Sequence, residues 1–181
     1  MAHDALVGLM GAGKTTVGRR VAGLLDRPFV DCDEAFIPRY GRTVVEVFRS
    51  DGEDTFRRLE AELLADLLAV DTPLVVATGG GAVIRAANRS LLETPGVFVV
   101  YLHGDPAFLA SRAEAKQHRF LLEGSDPRQV LGRLYAERDA WYRQVADEVL
   151  EVASFHEWGS SPKKAMAERI AAIVAEREAA A

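Results

Sequence analysis

Gly8-Leu9-Met10-Gly11-Ala12-Gly13-Lys14-Thr15 decides how the rest of this chain is read. The octet has the form G-x-x-x-x-G-K-[ST], the phosphate-cradling P-loop, and its flanks are those the motif requires. Ahead of it, Ala5-Leu6-Val7 is a short apolar run suited to a buried parallel strand. Behind it, Val17, Val21, Leu24 and Leu25 recur at helical spacing. In such a strand–loop–helix the glycines let successive N–H groups turn onto an anion, and the helix N-terminus adds partial positive charge. Gly11, Ala12, Gly13, Lys14, Thr15 and Thr16 are the expected nucleotide contacts. Lys14 is placed to reach the β/γ-phosphates, and the Thr15 hydroxyl to ligate Mg²⁺. The alternative, a flexible glycine turn, does not account for the Lys-Thr pair at the head of a helix.

Working outward, strand-like runs are expected at Ala5–Gly8, Phe29–Asp31, Leu74–Ala77, Val97–Leu102 and Val149–Val152, with helical segments between them. Strict alternation predicts a parallel sheet covered on both faces. Several helix starts are marked by caps: Thr43-x-x-Glu46, Asp126-Pro127-x-Gln129, Asp105-Pro106 and Ser161-Pro162. From Gly52 to Val70, the residues Phe56, Leu59, Leu63, Leu64, Leu67 and Leu68 line one helical face. The least regular stretch is 113–125. No repeat or linker divides the chain, so one domain over 1–181 is expected.

Composition narrows the class. A net charge of −5 argues against a surface that coats nucleic acid. Cys32 is the only cysteine, which leaves no disulfide framework and no cysteine-based zinc site. No apolar stretch approaches the length of a membrane span. Met1-Ala2-His3-Asp4 leads directly into the first strand without room for a signal peptide, so a cytoplasmic setting is expected.

In a parallel α/β sheet, ligands gather beyond the carboxyl ends of the strands. After the second strand stand Asp31 and Asp33. Asp31 can hold a water of Mg²⁺, and Asp33 can take the proton of an attacking hydroxyl, although either could simply cap the next helix. After the third strand stand Thr78-Gly79-Gly80-Gly81, whose bare backbone can approach an anion. Arg57 and Arg58 point in different directions on their helix, so one of them is expected to face the site. Spacing alone does not select among Arg119, Arg133, Arg138 and Arg143.

These pieces together resemble shikimate kinase. The matching segments are Gly8–Thr15, Asp31-x-Asp33, Gly52-Glu53-x-x-Phe56-Arg57-x-x-Glu60, Thr78-Gly79-Gly80-Gly81-Ala82-Val83, Val99-Val100-Tyr101-Leu102, Arg119-x-Leu121-Leu122-x-Gly124, and Arg138 with Tyr142. The resemblance runs in the family's order over nearly the whole chain. It implies a P-loop α/β fold with a five-stranded parallel sheet in the order 2-3-1-4-5 and a mobile lid near 113–125. It implies transfer of the ATP γ-phosphate to the 3-hydroxyl of shikimate, with ATP as co-substrate and Mg²⁺ as cofactor, by a chain expected to be monomeric.

Residue by residue, the resemblance gives Lys14 the β/γ-phosphates, and gives Thr15 and Asp31 the metal. Asp33 becomes the base. Arg57, Arg138 and the backbone around Gly79, Gly80 and Gly81 hold the substrate carboxylate. Arg119 becomes the lid arginine on the phosphates, and Arg112 lies beside adenine. Two departures stand out: Phe120 replaces the family's lid proline, and Ser154–Pro162 is longer than usual and carries Trp158. No adenine contact is assigned in that last stretch. Phe120 motivates a second reading, a kinase for another cyclitol or sugar acid. A third, a nucleotide-binding module without turnover, predicts a missing catalytic element, yet Lys14, Thr15, Asp31, Asp33 and Arg119 are all present.

Overall fold

The computed structural model describes residues 2–113, 126–157 and 161–180. In chain order the elements are β1 (His3–Val7), α1 (Lys14–Leu25), β2 (Phe29–Asp31), α2 (Cys32–Tyr40), α3 (Val44–Asp51), α4 (Glu53–Leu68), β3 (Val75–Ala77), α5 (Ala86–Leu92), β4 (Val97–His103), α6 (Pro106–Ala113), α7 (Pro127–Val145), β5 (Glu148–Glu151), α8 (Val152–Glu157) and α9 (Pro162–Ala180). The strands form one parallel sheet in the order β2-β3-β1-β4-β5, as expected. β1 and β4, paired at its middle, have nearly every residue buried, which is why they read as continuous apolar runs.

Register explains where the site lies. Asp31 pairs with Ala77, and Ala77 with Leu6, so the next residues of three strands reach the same sheet edge together. There the Thr78 hydroxyl and N–H both donate to the Leu6 carbonyl, at 3.0 and 3.1 Å. The P-loop, Asp31 and the Gly79–Gly81 run therefore surround one space.

Several strand boundaries differ from expectation: β3 and β5 start and β4 ends one residue away, and three further differences have a physical reason. β1 begins earlier, at His3, because its two polar residues are buried with partners. His3 Nδ1 accepts from the Leu74 N–H at 3.2 Å, and Asp4 accepts from Arg27 at 2.5 Å. β1 also ends at Val7, since Gly8 turns to φ 140° and a β-carbon there would meet the Leu102 carbonyl at 2.6 Å. Val152, read as the last residue of the final strand, instead opens α8 and packs into the core.

The caps form largely as read. Thr43 and Glu46 make the reciprocal capping box. Asp126 accepts from the Arg128 N–H, with Pro127 at the first position of α7. Asp105 accepts from the N–H groups of Ala107 and Phe108. α4 buries Phe56, Leu63 and Leu64, with Leu59, Leu67 and Leu68 packed half-buried beside them. It also buries Arg57 and Glu60, two charges that a purely structural helix face has no use for.

Candidate active site

A cavity of about 350 Å³ opens at the carboxyl ends of the strands, at the low end of the range for small-molecule sites. The P-loop forms one side. Gly11 and Gly13 sit at φ 92° and 101°, which turns the backbone back on itself. α1 starts at Lys14 with no side chain capping its first N–H groups, the arrangement that suits an anion. The Lys14 ammonium donates to the carbonyls of Gly8 and Leu9, at 2.6 and 3.1 Å. Thr15 and Thr16 also line the space, whereas Ala12 is buried and does not.

Asp31 takes the capping role weighed for it, and its second oxygen reaches the P-loop helix. Its Oδ1 caps α2, accepting from the N–H groups of Asp33 and Glu34 at 2.9 and 3.3 Å. Its Oδ2 accepts the Thr15 hydroxyl at 2.6 Å. Capping thus fixes the carboxylate that orients Thr15. Asp33 lines the same cavity, as the second residue of α2.

Opposite stand two buried arginines. Arg57 is 7% exposed; its Nη1 donates to Glu60 Oε2 at 2.7 Å, and Glu53 lies 3.4 Å from its other nitrogens. Its neighbour Arg58 pairs with Glu62 in solvent, so one arginine of the pair faces the site. Arg138 is 6% exposed and donates through Nη1 to the Gly80 carbonyl at 3.1 Å. The Tyr142 hydroxyl donates to that same oxygen. Arg138 Nε is buried without a hydrogen-bond partner among the described residues. Arg133 and Arg143 pair with Glu137 and Asp139 on the exposed face of α7.

The glycine run plays a part that the sequence did not disclose. A β-carbon on Gly79 would lie 2.6 Å from Glu60 Oε1, and one on Gly81 would lie 2.1 Å from Arg57 Nη1. The missing side chains make room for this ion pair as well as for a ligand. Burial raises the Glu60 pKa, with the nearby Asp33 charge adding to the rise and Arg57 opposing it.

At the far end, Arg112 from α6 and Lys163 from α9 line the cavity. Lys163, Val44 and Phe48 escaped sequence reading, and Phe56, which completes their apolar wall, was read only as part of a helix face and a motif. Glu60 and Tyr142 were quoted as part of a motif without a role; for Glu60 the only signal was its place three residues after Arg57 on an otherwise apolar face. Arg119, Phe120 and Trp158, with the rest of the expected lid, lie outside the described residues. Cys32 is buried, and burial pushes its thiol pKa up, as fits a packed side chain. Trp141 packs half-buried against the core under the Arg89 guanidinium.

Every expected site residue among those described, apart from Ala12, lines this one cavity. Comparison with known proteins agrees with the arrangement. The family model for shikimate kinase matches residues 10–174. The shikimate kinase of Burkholderia thailandensis is 47% identical over 145 residues, covering 80% of this chain and 78% of that one. That of Aromatoleum aromaticum is 47% identical over 146 residues, covering 81% and 82%. The structure of shikimate kinase from Acinetobacter baumannii in complex with shikimate superposes with a TM-score of 0.87 at 36% identity, covering 98% of this chain and 94% of that one. A gluconokinase from Sinorhizobium meliloti, 21% identical with a TM-score of 0.56, shares the fold alone. With a P-loop, an aspartate and two buried arginines converging on one cleft, and with these likenesses over most of its length, the chain belongs to the shikimate kinase family.

Proposed function

We propose that this protein transfers the γ-phosphoryl group of ATP to the 3-hydroxyl of shikimate, releasing ADP and shikimate 3-phosphate, a step of aromatic amino-acid biosynthesis. The observation that carries this reading is the shared cavity: Asp33, Arg57 and Arg138 line the same space as Lys14. Two guanidinium groups suit the carboxylate of a small acid, each able to offer paired N–H donors. Held so, the acceptor hydroxyl lies between Asp33 and the terminal phosphate. Its oxygen attacks phosphorus, the bond to the β-phosphate oxygen breaks, and Asp33 takes the proton. Lys14 and the N–H groups at the head of α1 stabilise charge on the transferring group, and Arg119 does so from the lid.

Thr15 and Asp31 are the residues that would hold Mg²⁺. The fit is sound: both are oxygen donors, hydrogen-bonded to each other at 2.6 Å beside the phosphate loop, and Mg²⁺ takes few protein ligands together with substrate phosphates and water. When bound, the ion would neutralise charge on the phosphates. Arg112 is assigned to the adenine end of the nucleotide.

The reading extends to one domain over 1–181 with a lid near 113–125, working as a monomer in the cytoplasm without nucleic-acid or membrane partners. No described helix is long and apolar enough to cross a membrane, and the net charge of −5 is unsuited to phosphate backbones. The test is an ADP-release assay over a panel of cyclitol and sugar acids. Shikimate should be preferred by orders of magnitude; equal turnover of another acid would overturn the acceptor assignment, and ATP binding without acceptor-dependent ADP would overturn the kinase.

A further inference from the structure

Arg112 enters the cleft from α6, yet the group that fixes it belongs to a distant part of the chain. Its Nη1 lies 3.3 Å from Nδ1 of His156 on α8. Phe108, one turn earlier on α6, packs against both partners, its ring 5.3 Å from the imidazole and 5.5 Å from the guanidinium carbon. A guanidinium only donates. The contact therefore needs the Nδ1 lone pair, which assigns a neutral ring with its proton on Nε2. Nε2 is enclosed and has no hydrogen-bond partner among the described residues, so the ring is held by packing and by the one contact through Nδ1.

We propose that His156 is a positioning residue for nucleotide binding, accepting the Arg112 guanidinium and holding it at the adenine end of the cleft before ATP arrives. The inference rests on the assignment of Arg112 to the nucleotide given above. Arginine is long and rotamer-rich, and fixing it in the free protein removes that ordering cost from binding. Contact with Phe108 restricts the same side chain from a second direction.

The arrangement depends on pH in a definite sense. The charged groups facing the ring are Arg112 from α6 and Lys163 from α9, both cationic, while Glu157 beside it on α8 is exposed. Burial first, and then these two cations, lower the His156 pKa from its ordinary 6.5. The accepting form therefore prevails at neutral pH. Acid places an N–H and a positive charge against the guanidinium, so nucleotide affinity is full above the depressed pKa and falls as pH drops through it.

The test is calorimetric titration of the full chain with a nonhydrolysable ATP analogue and magnesium, without acceptor. His156→Leu should weaken binding about fivefold, the loss expected for one net hydrogen bond. His156→Asn, whose Oδ1 can take the place of Nδ1, should restore affinity to within about twofold, which also separates this effect from a folding defect. In an Arg112→Ala background, His156→Leu should add nothing. As pH falls below 6.5 the unsubstituted protein should lose affinity more steeply than His156→Asn, which cannot titrate there. Unchanged binding by His156→Leu, no rescue by asparagine, or an equal loss in the Arg112→Ala background would overturn the proposal. Because no acceptor is present, the result is readable even if shikimate fails as a substrate, a failure that would strike the proposed function alone.

Discussion

The Arg57 guanidinium rests against the backbone of Gly81 so closely that a β-carbon on residue 81 would fall within 2.1 to 2.4 Å of three of its atoms. Glu60, also buried, anchors the same group from the other side at 2.7 Å. The pose of one cavity-lining arginine thus depends on the absence of a side chain from the loop after β3.

Gly81→Ala should therefore act through Arg57. The methyl group and the guanidinium cannot share that volume, and Arg57 must swing out, leaving Glu60 buried without its counter-charge. The Michaelis constant for shikimate should rise about tenfold or more while that for ATP changes little. Steady-state kinetics with each substrate varied in turn checks this; an unaltered shikimate constant would show that Arg57 does not hold the acceptor.

Lys14→Met keeps the length of the stem and removes the charge. Turnover should fall about a hundredfold or more, since the lost cation acts on charge that develops during transfer. Lys14 also donates to the carbonyls of Gly8 and Leu9, so a small drop in melting temperature should accompany the loss. Single-turnover measurement and a thermal melt read the two effects separately. Near-normal turnover would remove Lys14 from the chemistry.

At the Gly80 carbonyl, two donors converge and their deletion should differ. Tyr142→Phe leaves Arg138 on the oxygen, so it should cost about 1 kcal/mol of stability and spare most of the activity. Arg138→Lys replaces a fork by a single ammonium, which cannot serve both the carbonyl and a substrate carboxylate, and shikimate affinity should fall about tenfold or more. Denaturant melts and acceptor titrations distinguish the pair; equal behaviour of the two variants would dissolve the distinction.

Asp4 gives a prediction for pH. Burial outweighs the Arg27 charge and raises its pKa from 3.8 to about 6 in the folded protein. The folded state then binds a proton more tightly than the unfolded state, so the stability contributed by protonated Asp4 is complete below 3.8 and is lost as pH rises to about 6. The melting temperature of the parent protein relative to Asp4→Asn should fall across that window. A constant difference would mean that Asp4 titrates alike in both states.

Much of this was legible because local chemistry admitted few alternatives. Gly11 and Gly13 precede a lysine at a helix start, a combination with one common use, and Asp31 and Asp33 follow a strand whose register brings them beside it. Arg57 and Arg58 could be told apart as a pair, because adjacent helical residues cannot share a face. What stayed hidden depends on chain segments that meet only in three dimensions. Lys163 reaches the cleft, and His156 reaches Arg112 at its end, because α8 and α9 fold back beside α6, and no local spacing signals that return. Glu60 interrupts an apolar face in the sequence, and its burial follows from the ion pair with Arg57 on the same helix, for which the bare Gly79–Gly81 backbone leaves room. His3 and Asp4 masked the start of β1, since polar residues are buried in a strand only when distant groups satisfy them.

Arg27 donates both to Asp4 in the first strand and to Glu178 in the last helix. A single side chain thereby gathers the outermost turns of the described polypeptide behind the sheet, at the pole remote from the cleft mouth. A fusion partner, an immobilising tether, or a short peptide bridging the two extremities into a ring can be attached there while the entrance for both substrates stays open.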